Sequence, residues 1–312
     1  MHNEHFLSVI SKMYYIDKLK QNEIARRLKI TPIMVSRYLR EAESKGIVTF
    51  HVKMPWPVDT DLGKSISDKY GLQECYVLEV LDDRDIRVAL GSFLADYFAQ
   101  ILPDNSIVGL SWGGTISHFA ESLPYMNVEK CSLLQLAGAF SETPLSLTPS
   151  TLINTISKKV DGQIYTLNAP LYASSEEMRD QLVNDPANLV ISELALKSDI
   201  NIVGASMLDL NATTFSAGIV DANGFEELKA LGVAGDLAGT FIDWNGDRVE
   251  WSGSKMYTGV PLDVIRKAKN VICIAGEMEK VPILDIVCRR KHIHTLITTK
   301  QAAVALLNAR TR

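Results

Sequence analysis

Cysteine and long apolar runs are scarce in this 312-residue sequence. Its four cysteines are scattered, without a Cys-x-x-Cys pair, at Cys75, Cys131, Cys273 and Cys288. This spacing indicates neither a zinc site nor a disulfide scaffold. No segment joins the ~20 apolar residues that a membrane span needs, and the first residues lack the apolar core of a secretory signal. We therefore expect a soluble protein of the reducing cytoplasm, with no membrane partner.

Basic residues are concentrated at one end of the chain. Residues 1–57 contain ten lysines and arginines against five acidic residues, a formal charge of +5, whereas the remainder carries −10. The overall composition, 46% hydrophobic and 22% charged, is that of a folded protein. A basic N-terminal segment on an acidic body predicts that only this segment meets a polyanion.

The basic segment contains two short helical patterns within residues 21–48, QNEIARRLKITPIMVSRYLREAESKGIV. Apolar residues recur at helical spacing in both, as Ile24, Ala25 and Leu28 and then as Val35, Leu39 and Ala42. Thr31 supplies an N-cap hydroxyl for the second helix, Pro32 suits its first position, and Gly46 ends it. Two helices joined by so short a turn predict a helix-turn-helix, whose second helix lies in the major groove of DNA.

Side chains of this motif suit DNA contacts. Arginine forks onto guanine edges or phosphates, hydroxyls bond either group, isoleucine contacts a thymine methyl, and glutamine at a helix start reaches a phosphate. The predicted DNA-binding residues are Gln21, Thr31, Pro32, Ile33, Ser36, Arg37 and Arg40. The alternative is a three-helix packing unit with a solvated basic face; charge, caps and spacing together favour DNA binding.

The turn of the motif and the segment that follows it each suggest a local structure. Lys29 stands at the turn position that usually holds a left-handed glycine, which would cost about 1 kcal/mol if Lys29 adopts that conformation. After Gly46 the segment IVTFHVK alternates like a strand and is a candidate wing.

Two prolines occur close together in the segment Pro55-Trp56-Pro57, which predicts a stiff linker. We predict a DNA-binding domain over 1–54, a linker over 55–60 and an effector domain over 61–312. In the effector domain, short apolar runs alternate with amphipathic stretches such as Ile86–Ile101. This alternation predicts an α/β fold with a doubly wound, mostly parallel sheet covered on both faces. The predicted strands are ECYVLEV, SIVGLSW, CSLLQLAG, GQIYTLNA, INIVGAS, NVICIAG and IHTLITT.

Ligands of such sheets bind at the carboxyl ends of the strands. The segment IVGLSWGGTISHFAESL runs from a strand through Gly113, Gly114 and Thr115 into a helix. The glycines let backbone amides approach an anion, Thr115 adds a hydroxyl, and the helix N-terminus adds partial positive charge. A phosphate or an oxygen-rich sugar would suit this loop; tight-turn geometry alone is the alternative.

Other strand ends add polar candidates, namely Gln135, Gly138, Asp236, Asp243, Glu277 and Lys280. Lys280 can neutralise a phosphate, and Glu277 can accept sugar hydroxyls. Turn formation is the alternative for Asp236 and for Asp243, which precedes an Asn-Gly turn typical of a hairpin. An ion pair at a helix start is the alternative for Glu277 and Lys280. Several polar loops at one sheet edge together favour a pocket.

These landmarks, in this order, resemble the SorC family of sugar-responsive bacterial transcription regulators, which is also similar to the deoxyribonucleoside regulators of bacilli. The resemblance spans nearly the whole chain, including QNEIARRL, VSRYLREAESKGIV, VGLSWGGT, LLQLAGA, LNAPLYASSEEMRDQL, VAGDLAGTFID, AGEMEK and LITTKQAAVALL. It implies an N-terminal DNA-binding domain, an effector domain resembling phosphosugar isomerases, and a homo-oligomer acting on operators of sugar catabolic operons. It implies no cofactor.

The resemblance also implies effector contacts at Gly113, Gly114, Thr115, Asp236 and Lys280. The sequence departs from the family pattern in three places. VGAS replaces a VGIG-like run, AGE replaces a common AGG, and Thr240 stands where many members have an arginine. An arginine there would help to clasp a phosphate, so its loss puts a phosphorylated effector in doubt.

An enzyme is the rival class, because a fold of this kind also serves sugar-phosphate isomerases and deaminases. Such chemistry needs a general acid or base near the sugar. Only one histidine, His118, lies near a candidate loop, and it is more typical of a structural or surface residue. His292 and His294 alternate as on one strand face, without an evident third metal ligand. No Gly-x-Ser-x-Gly elbow or P-loop is present.

The sequence therefore predicts a ligand-gated DNA-binding regulator. Its expected partners are operator DNA, a sugar, polyol or phosphorylated sugar, and further copies of itself in a homodimer or homotetramer. The sequence leaves open the sugar and the sign of regulation.

Overall fold

The computed structural model describes residues 4–48, 56–140, 148–216 and 219–309. The chain forms two compact units, Met1–Pro55 and Trp56–Arg312. The division between them falls at the start of the predicted linker, residues 55–60.

The first unit is helical. Its elements are α1 (Glu4–Ser11), a π-helical turn (Lys12–Ile16), α2 (Gln21–Leu28) and α3 (Pro32–Ser44). Its buried core is formed by Leu7, Ile10, Ile24, Ala25, Val35, Tyr38, Leu39 and Ala42. Both predicted helices and the predicted α3 stripe are present, and α1, which was not predicted, closes the core.

The turn between α2 and α3 has the predicted chemistry. The Thr31 Oγ1 atom accepts a hydrogen bond from the Met34 amide at 3.2 Å, and Pro32 occupies the first turn of α3. Lys29 adopts the left-handed conformation, with φ 54° and ψ 43°, and its amide donates to the Ala25 carbonyl. The turn therefore carries the backbone cost expected of a non-glycine residue. The candidate wing, residues 47–53, lies mostly outside the described residues.

The second unit contains ten described strands. They are β1 (Glu74–Leu78), β2 (Ile107–Leu110), β3 (Ser132–Gln135), β4 (Gln163–Tyr165), β5 (Ile200–Val203), β6 (Ala205–Met207), β7 (Val233–Leu237), β8 (Thr240–Asp243), β9 (Asn270–Ile274) and β10 (Thr295–Thr299). Seven form a parallel sheet in the order β1-β10-β9-β5-β2-β3-β4. The other three form an antiparallel sheet in the order β6-β7-β8.

The helices of the second unit pack on both faces of the parallel sheet and on the smaller sheet. They are α4 (Thr60–Tyr70), α5 (Ile86–Ile101), α6 (Gly114–Ser122), α7 (Pro149–Val160), α8 (Glu176–Val183), α9 (Pro186–Ala195), α10 (Thr213–Ser216), α11 (Ala222–Ala230), α12 (Leu262–Ile265), α13 (Val281–Arg289) and α14 (Lys300–Asn308). One apolar cluster joins the sheet to α4, α9, α12, α13 and α14, and a second joins it to α5, α6 and α7. The predicted doubly wound α/β fold is confirmed. Within the described ranges, no helix combines the length and apolar character that crossing a bilayer requires.

The smaller sheet differs from expectation. The run INIVGAS was expected to form one strand, but it divides at Gly204 into β5 and β6, which belong to different sheets. The hairpin of this sheet turns at Ala238 and Gly239, both with positive φ, 51° and 81°. Consecutive positive φ values match the tight primed turns of hairpins, which favour glycine. At the predicted Asn245-Gly246 turn the structure has a single antiparallel bridge, Ile242 to Arg248.

Candidate functional site

A cleft opens at the carboxyl edge of the parallel sheet, where β2 and β5 lie side by side. After β2 the chain enters α6 on one face of the sheet, and after β5 it enters β6 on the other. This divergence creates a crevice of the kind in which α/β proteins bind ligands. The cleft has a volume of about 70 Å³. It is lined by Arg87, Trp112, Gly113, Gly114, Thr115, Ile116, Gly204, Ala205, Ser206, Thr214, Ile274 and Lys280.

The predicted glycine loop forms one wall. Gly113 has φ 131°, a conformation that L side chains rarely adopt, and it caps the start of α6. A Cβ atom at Gly114 would lie 3.2 Å from the Arg87 Nη1 atom, so glycine leaves room for the guanidinium to pack across the helix start. Thr115 is buried at the same wall. The first amides of a helix lack intrahelical acceptors, so this wall can donate to ligand oxygens.

Two cations of the cleft share one carboxylate. The Arg87 Nε atom and the Lys280 Nζ atom each lie 3.0 Å from the Glu277 Oε1 atom. The Glu277 side chain is 11% exposed and that of Lys280 18%, whereas that of Arg87 is 57% exposed. Burial opposes ionisation of Glu277, but the Lys280 charge and the hydrogen bonds from Lys280 and Arg87 outweigh it and lower the pKa of Glu277 to about 2. Glu277 is therefore an anion at neutral pH.

A second carboxyl group lies behind the cleft wall. Asp236 is buried in β7; its Oδ1 atom accepts a short hydrogen bond from the Ser206 hydroxyl, and its Oδ2 atom accepts the Gly239 amide at 3.0 Å. Burial raises the pKa of Asp236, although these two donors and the Lys280 charge favour its ionised form. The same hairpin supports the glycine loop, because a Cβ atom at Gly239 would lie 2.5 Å from the Trp112 ring. Asp236 thus positions Ser206 and the turn that Trp112 packs against.

Sequence reasoning missed three polar residues of the cleft, Arg87, Ser206 and Thr214. The Thr214 Oγ1 atom is buried and has no hydrogen-bond partner within the described part of the chain. Arg87 follows β1 and Ser206 follows β5, so the rule that selects loops after parallel strands applies to both. That rule, extended to the loops after all the predicted strands, would have found Arg87. Ser206 fell inside the predicted strand INIVGAS, and Thr214 follows a strand of the smaller sheet.

Five predicted residues are not among the described residues that line the cleft. Asp236 and Glu277 bond lining residues from outside the lining, and Gln135, Gly138 and Asp243 lie elsewhere. Gln135 is 1% exposed, and its Nε2 atom donates to the Ala137 carbonyl at 2.6 Å. A Cβ atom at Gly138 would lie 2.7 Å from the Leu171 backbone, so glycine here allows two chain segments to pack closely. Asp243 accepts the amides of Asn245 and Asp247 at 2.9 Å and forms a turn. These residues have structural contacts instead.

Six of the seven predicted DNA-binding residues lie at the start or on the exposed face of α3, and Gln21 is the first residue of α2. Ile33, Ser36, Arg37 and Arg40 are spaced at i, i+3, i+4 and i+7, which brings them to one side of a helix. Ile33 is 80% exposed. Thr31, Pro32, Arg37 and Arg40 are exposed as well, while Ser36 and Gln21 are partly exposed. An apolar side chain so exposed on the same face as two arginines suits a surface that contacts a duplex.

The histidines contact other groups. The His118 Nδ1 atom lies 3.7 Å from Glu121, and His118 is not among the described residues that line the cleft. His292 and His294 precede β10 and do not share a strand face as expected. A His292 ring nitrogen bonds the Gly246 carbonyl at 2.8 Å, whereas the His294 Nδ1 atom accepts the Val271 amide at 3.0 Å.

Comparison with known families matches both units. A model described as "Putative sugar-binding domain" matches residues 57–308, and one described as winged helix-turn-helix DNA-binding matches residues 17–49. Among curated proteins, the deoxyribonucleoside regulator of Bacillus subtilis is 26% identical over 303 residues, covering 96% of each chain. The erythritol catabolism regulatory protein EryD of Brucella abortus is 22% identical over 298 residues, covering 95% of this chain and 94% of its own.

Solved structures share the fold. The full-length sorbitol operon regulator SorC from Klebsiella pneumoniae superposes with a TM-score of 0.74 at 23% identity, covering 98% of this chain and 99% of that chain. A transcriptional regulator from Streptococcus pneumoniae superposes with a TM-score of 0.75 at 20% identity, covering 80% and 96%. At these identities the likeness establishes the architecture of the chain.

Proposed function

The chain belongs to the sugar-binding-domain family of SorC-type proteins, and from this premise we propose that it is a DNA-binding transcriptional regulator of a sugar or polyol catabolic operon. A sugar, polyol or sugar phosphate bound in the cleft controls the affinity of the protein for operator DNA. The observation that carries this proposal is that one chain joins a helix-turn-helix unit to a cleft of this family. Three relatives support it: a deoxyribonucleoside regulator, an erythritol catabolism regulatory protein and a sorbitol operon regulator.

The DNA contact is assigned to the exposed face of α3. Arg37 and Arg40 supply guanidinium groups for guanine edges or phosphates, and Ile33 supplies an apolar surface for a thymine methyl. Thr31 and Ser36 add hydroxyls, and Gln21 and Pro32 begin the two helices that approach the backbone. These assignments follow from exposure, spacing and side-chain chemistry.

The effector contact is assigned to the cleft. Gly113, Gly114 and Thr115 provide amides and a hydroxyl, Lys280 provides a cation, and Asp236 acts through Ser206. Ligand atoms placed here would contact elements that follow β2, β5 and β9 together. A compound of hydroxyl groups matches this mixture of donors and acceptors.

Gating requires at least two copies of the chain. Two DNA-binding domains related by a twofold axis reach successive major grooves only at one separation, so a change of that separation alters DNA affinity. We therefore propose a homodimer or homotetramer as the working form. A coupling free energy of ~1–3 kcal/mol between effector and DNA is enough for a useful switch.

The DNA assignment is tested by operator binding of Arg37→Ala and Arg40→Ala. Each loss should weaken binding by about 1–3 kcal/mol if the arginine reads a base, or lower the salt dependence by about one counterion if it contacts a phosphate. Arg84→Ala, which removes an exposed arginine paired with Asp82 in the second unit, is the matched control. Unchanged affinity and salt dependence in both α3 variants would remove the assignment.

The effector assignment is tested by Lys280→Ala in the same assay. This variant should bind operator DNA normally without its ligand and lose the response to an effector found by thermal-shift screening of sugars, polyols and their phosphates. A normal response at normal effector concentration would show that the cleft is misassigned. Chemical conversion of the stabilising compound during incubation would favour the enzyme class instead.

A further inference from the structure

We infer that the effector is an uncharged polyhydroxy compound, and that Glu277 is the residue that selects it over phosphorylated sugars. This inference rests on the proposed function and narrows the ligand of the same cleft. It follows from how the charges of the cleft are already paired.

Both cations that line the cleft are bound to one internal anion. The Arg87 Nε atom and the Lys280 Nζ atom meet the same Glu277 oxygen at 3.0 Å. These are the cations that a phosphate entering from the cleft would reach first, because Arg87 packs across Gly114 and both Arg87 and Lys280 line the cleft. A phosphate oxygen at that point would therefore meet an ionised carboxylate beside each cation.

The charge balance of the cleft disfavours a phosphate monoester. Arg87 and Lys280 both contact Glu277, and Lys280 also acts electrostatically on Asp236. With Glu277 ionised, the set has at most one net positive charge whatever the protonation of Asp236. A phosphate monoester carries about −1.5 to −2 at neutral pH. Its transfer from water would leave uncompensated negative charge in a half-enclosed site.

Glu277 is held in place. Its Oε2 atom accepts the Gly276 amide at 3.3 Å, and its side chain is buried. If Lys280 turned away from Glu277 to bind a phosphate, the buried carboxylate would lose a charge partner and would lie close to the new anion. The carboxylate therefore stays paired with the two cations that line the cleft.

The remaining polar atoms of the cleft suit hydroxyl groups. Thr214 presents a buried hydroxyl that has no partner within the described residues, and a ligand hydroxyl can both donate to it and accept from it. Ser206 already donates to Asp236, so its oxygen is left to accept from a ligand. Lys280 adds a donor to the lining, and its partner Glu277 adds an acceptor directly beside it. Acceptors that require a ligand proton are matched by sugars and polyols and not by a phosphate dianion.

The test compares wild type with Glu277→Gln in the full-length protein, using inorganic phosphate and matched pairs of polyols or sugars and their monophosphate esters. Isothermal calorimetry and thermal shift give affinities without DNA. Wild type should prefer the uncharged member of each pair that binds and should show no specific phosphate binding. Glu277→Gln should bind inorganic phosphate at least about tenfold more tightly than wild type, because the anion next to the cations is gone. Glu79→Gln, which removes a carboxylate paired with Lys300 outside the cleft, should behave as wild type.

The outcomes separate this inference from the function on which it rests. A wild-type protein that binds phosphate esters more tightly than their parents overturns the inference, as does an unchanged phosphate affinity in Glu277→Gln. If no sugar or polyol binds but Glu277→Gln gains phosphate affinity, the role of Glu277 stands and the sugar function fails. If circular dichroism shows that Glu277→Gln does not fold, the test rests on which member of each matched pair wild type prefers. A wild type that binds neither the parent compounds nor their phosphate esters then overturns the inference.

Discussion

Protonation of Glu277 provides a stability measurement whose size follows from the structure. The pKa of Glu277 falls from its ordinary value of 4.5 to about 2 in the folded chain. The difference of about 2.5 pH units, at about 1.4 kcal/mol per unit, corresponds to about 3 kcal/mol of folding free energy. Because the folded pKa lies below the unfolded pKa, this stability is fully present above pH 4.5 and is lost as the pH falls towards 2. Replacement by glutamine should abolish that loss at this position.

The assay is urea unfolding of wild type and Glu277→Gln at pH values between about 2 and 6, followed by tryptophan fluorescence. All four tryptophans lie in residues 56–312, so the signal reports unfolding of the second unit. Other carboxyl groups also titrate here, and the difference between the two proteins cancels them. The advantage of wild type over Glu277→Gln should shrink by about 3 kcal/mol between pH 4.5 and 2. A difference that stays constant over this range would refute the ion-pair geometry of Arg87, Glu277 and Lys280.

Further predictions concern the turn, the cleft and the connection to the linker. Lys29→Gly should stabilise the first unit by up to about 1 kcal/mol in amide hydrogen exchange, because glycine accepts φ 54° without the strain of a side chain. Unchanged protection would contradict a strained turn. Thr214→Val should leave the melting temperature unchanged or raise it, yet weaken effector binding by about 3- to 10-fold, because the hydroxyl has no internal partner to lose. Equal affinity in Thr214→Val and wild type would show that no ligand hydroxyl meets this atom. Lys300→Met should leave the effector affinity and the operator affinity, each measured alone, unchanged, and should reduce the effect of one ligand on the affinity for the other. Unchanged coupling would show that the contacts of Lys300 with Asp59 and Glu79 do not transmit effector binding.

The sequence predicted local structure well because local structure depends on neighbouring residues. The Thr31-Pro32 signal placed the start of α3, and apolar runs between turn residues placed the seven strands of the parallel sheet. The order of those strands is not written in any local pattern. Arg87 and Glu277 are 190 residues apart and meet only because β1, β10 and β9 are neighbours in the sheet. For the same reason Trp112 and Gly239 could not be paired in advance.

The site was predictable in part for a related reason. Gly113, Gly114 and Thr115 form a continuous loop, so their chemistry is visible in the sequence. Gln135 and Asp243 have equally suitable side chains, but their direction depends on the strand face and on the turn that each residue begins. Both side chains form hydrogen bonds with nearby backbone groups: Gln135 donates to the Ala137 carbonyl, and Asp243 accepts the amides of its turn. A polar residue near a strand end is thus a site residue only if no local backbone group satisfies it first.

A contact route joins the effector cleft to the chain that follows the first unit. The Thr299 hydroxyl donates to the Gly276 carbonyl at 2.7 Å, directly beside Glu277. The next residue, Lys300, lies 3.4 Å from both Asp59 and Glu79. Residues 57–59 pair with the end of β1, where the Asp59 amide donates to Val77 at 2.8 Å and the Glu79 amide donates to Pro57 at 3.0 Å.

This route gives physical content to the gating that a regulator needs. A ligand shifts an equilibrium only by as much as its contacts differ between the two states, so the residue whose contacts change on binding must also lead to the responding element. Glu277 meets both conditions, because its cation partners line the cleft and its neighbour Gly276 bonds Thr299. Contiguity alone does not establish coupling, whereas a loss of coupling in Lys300→Met with both affinities intact does. A ligand that left the contacts of Glu277 unchanged would bind in the cleft without altering the affinity for DNA through this route.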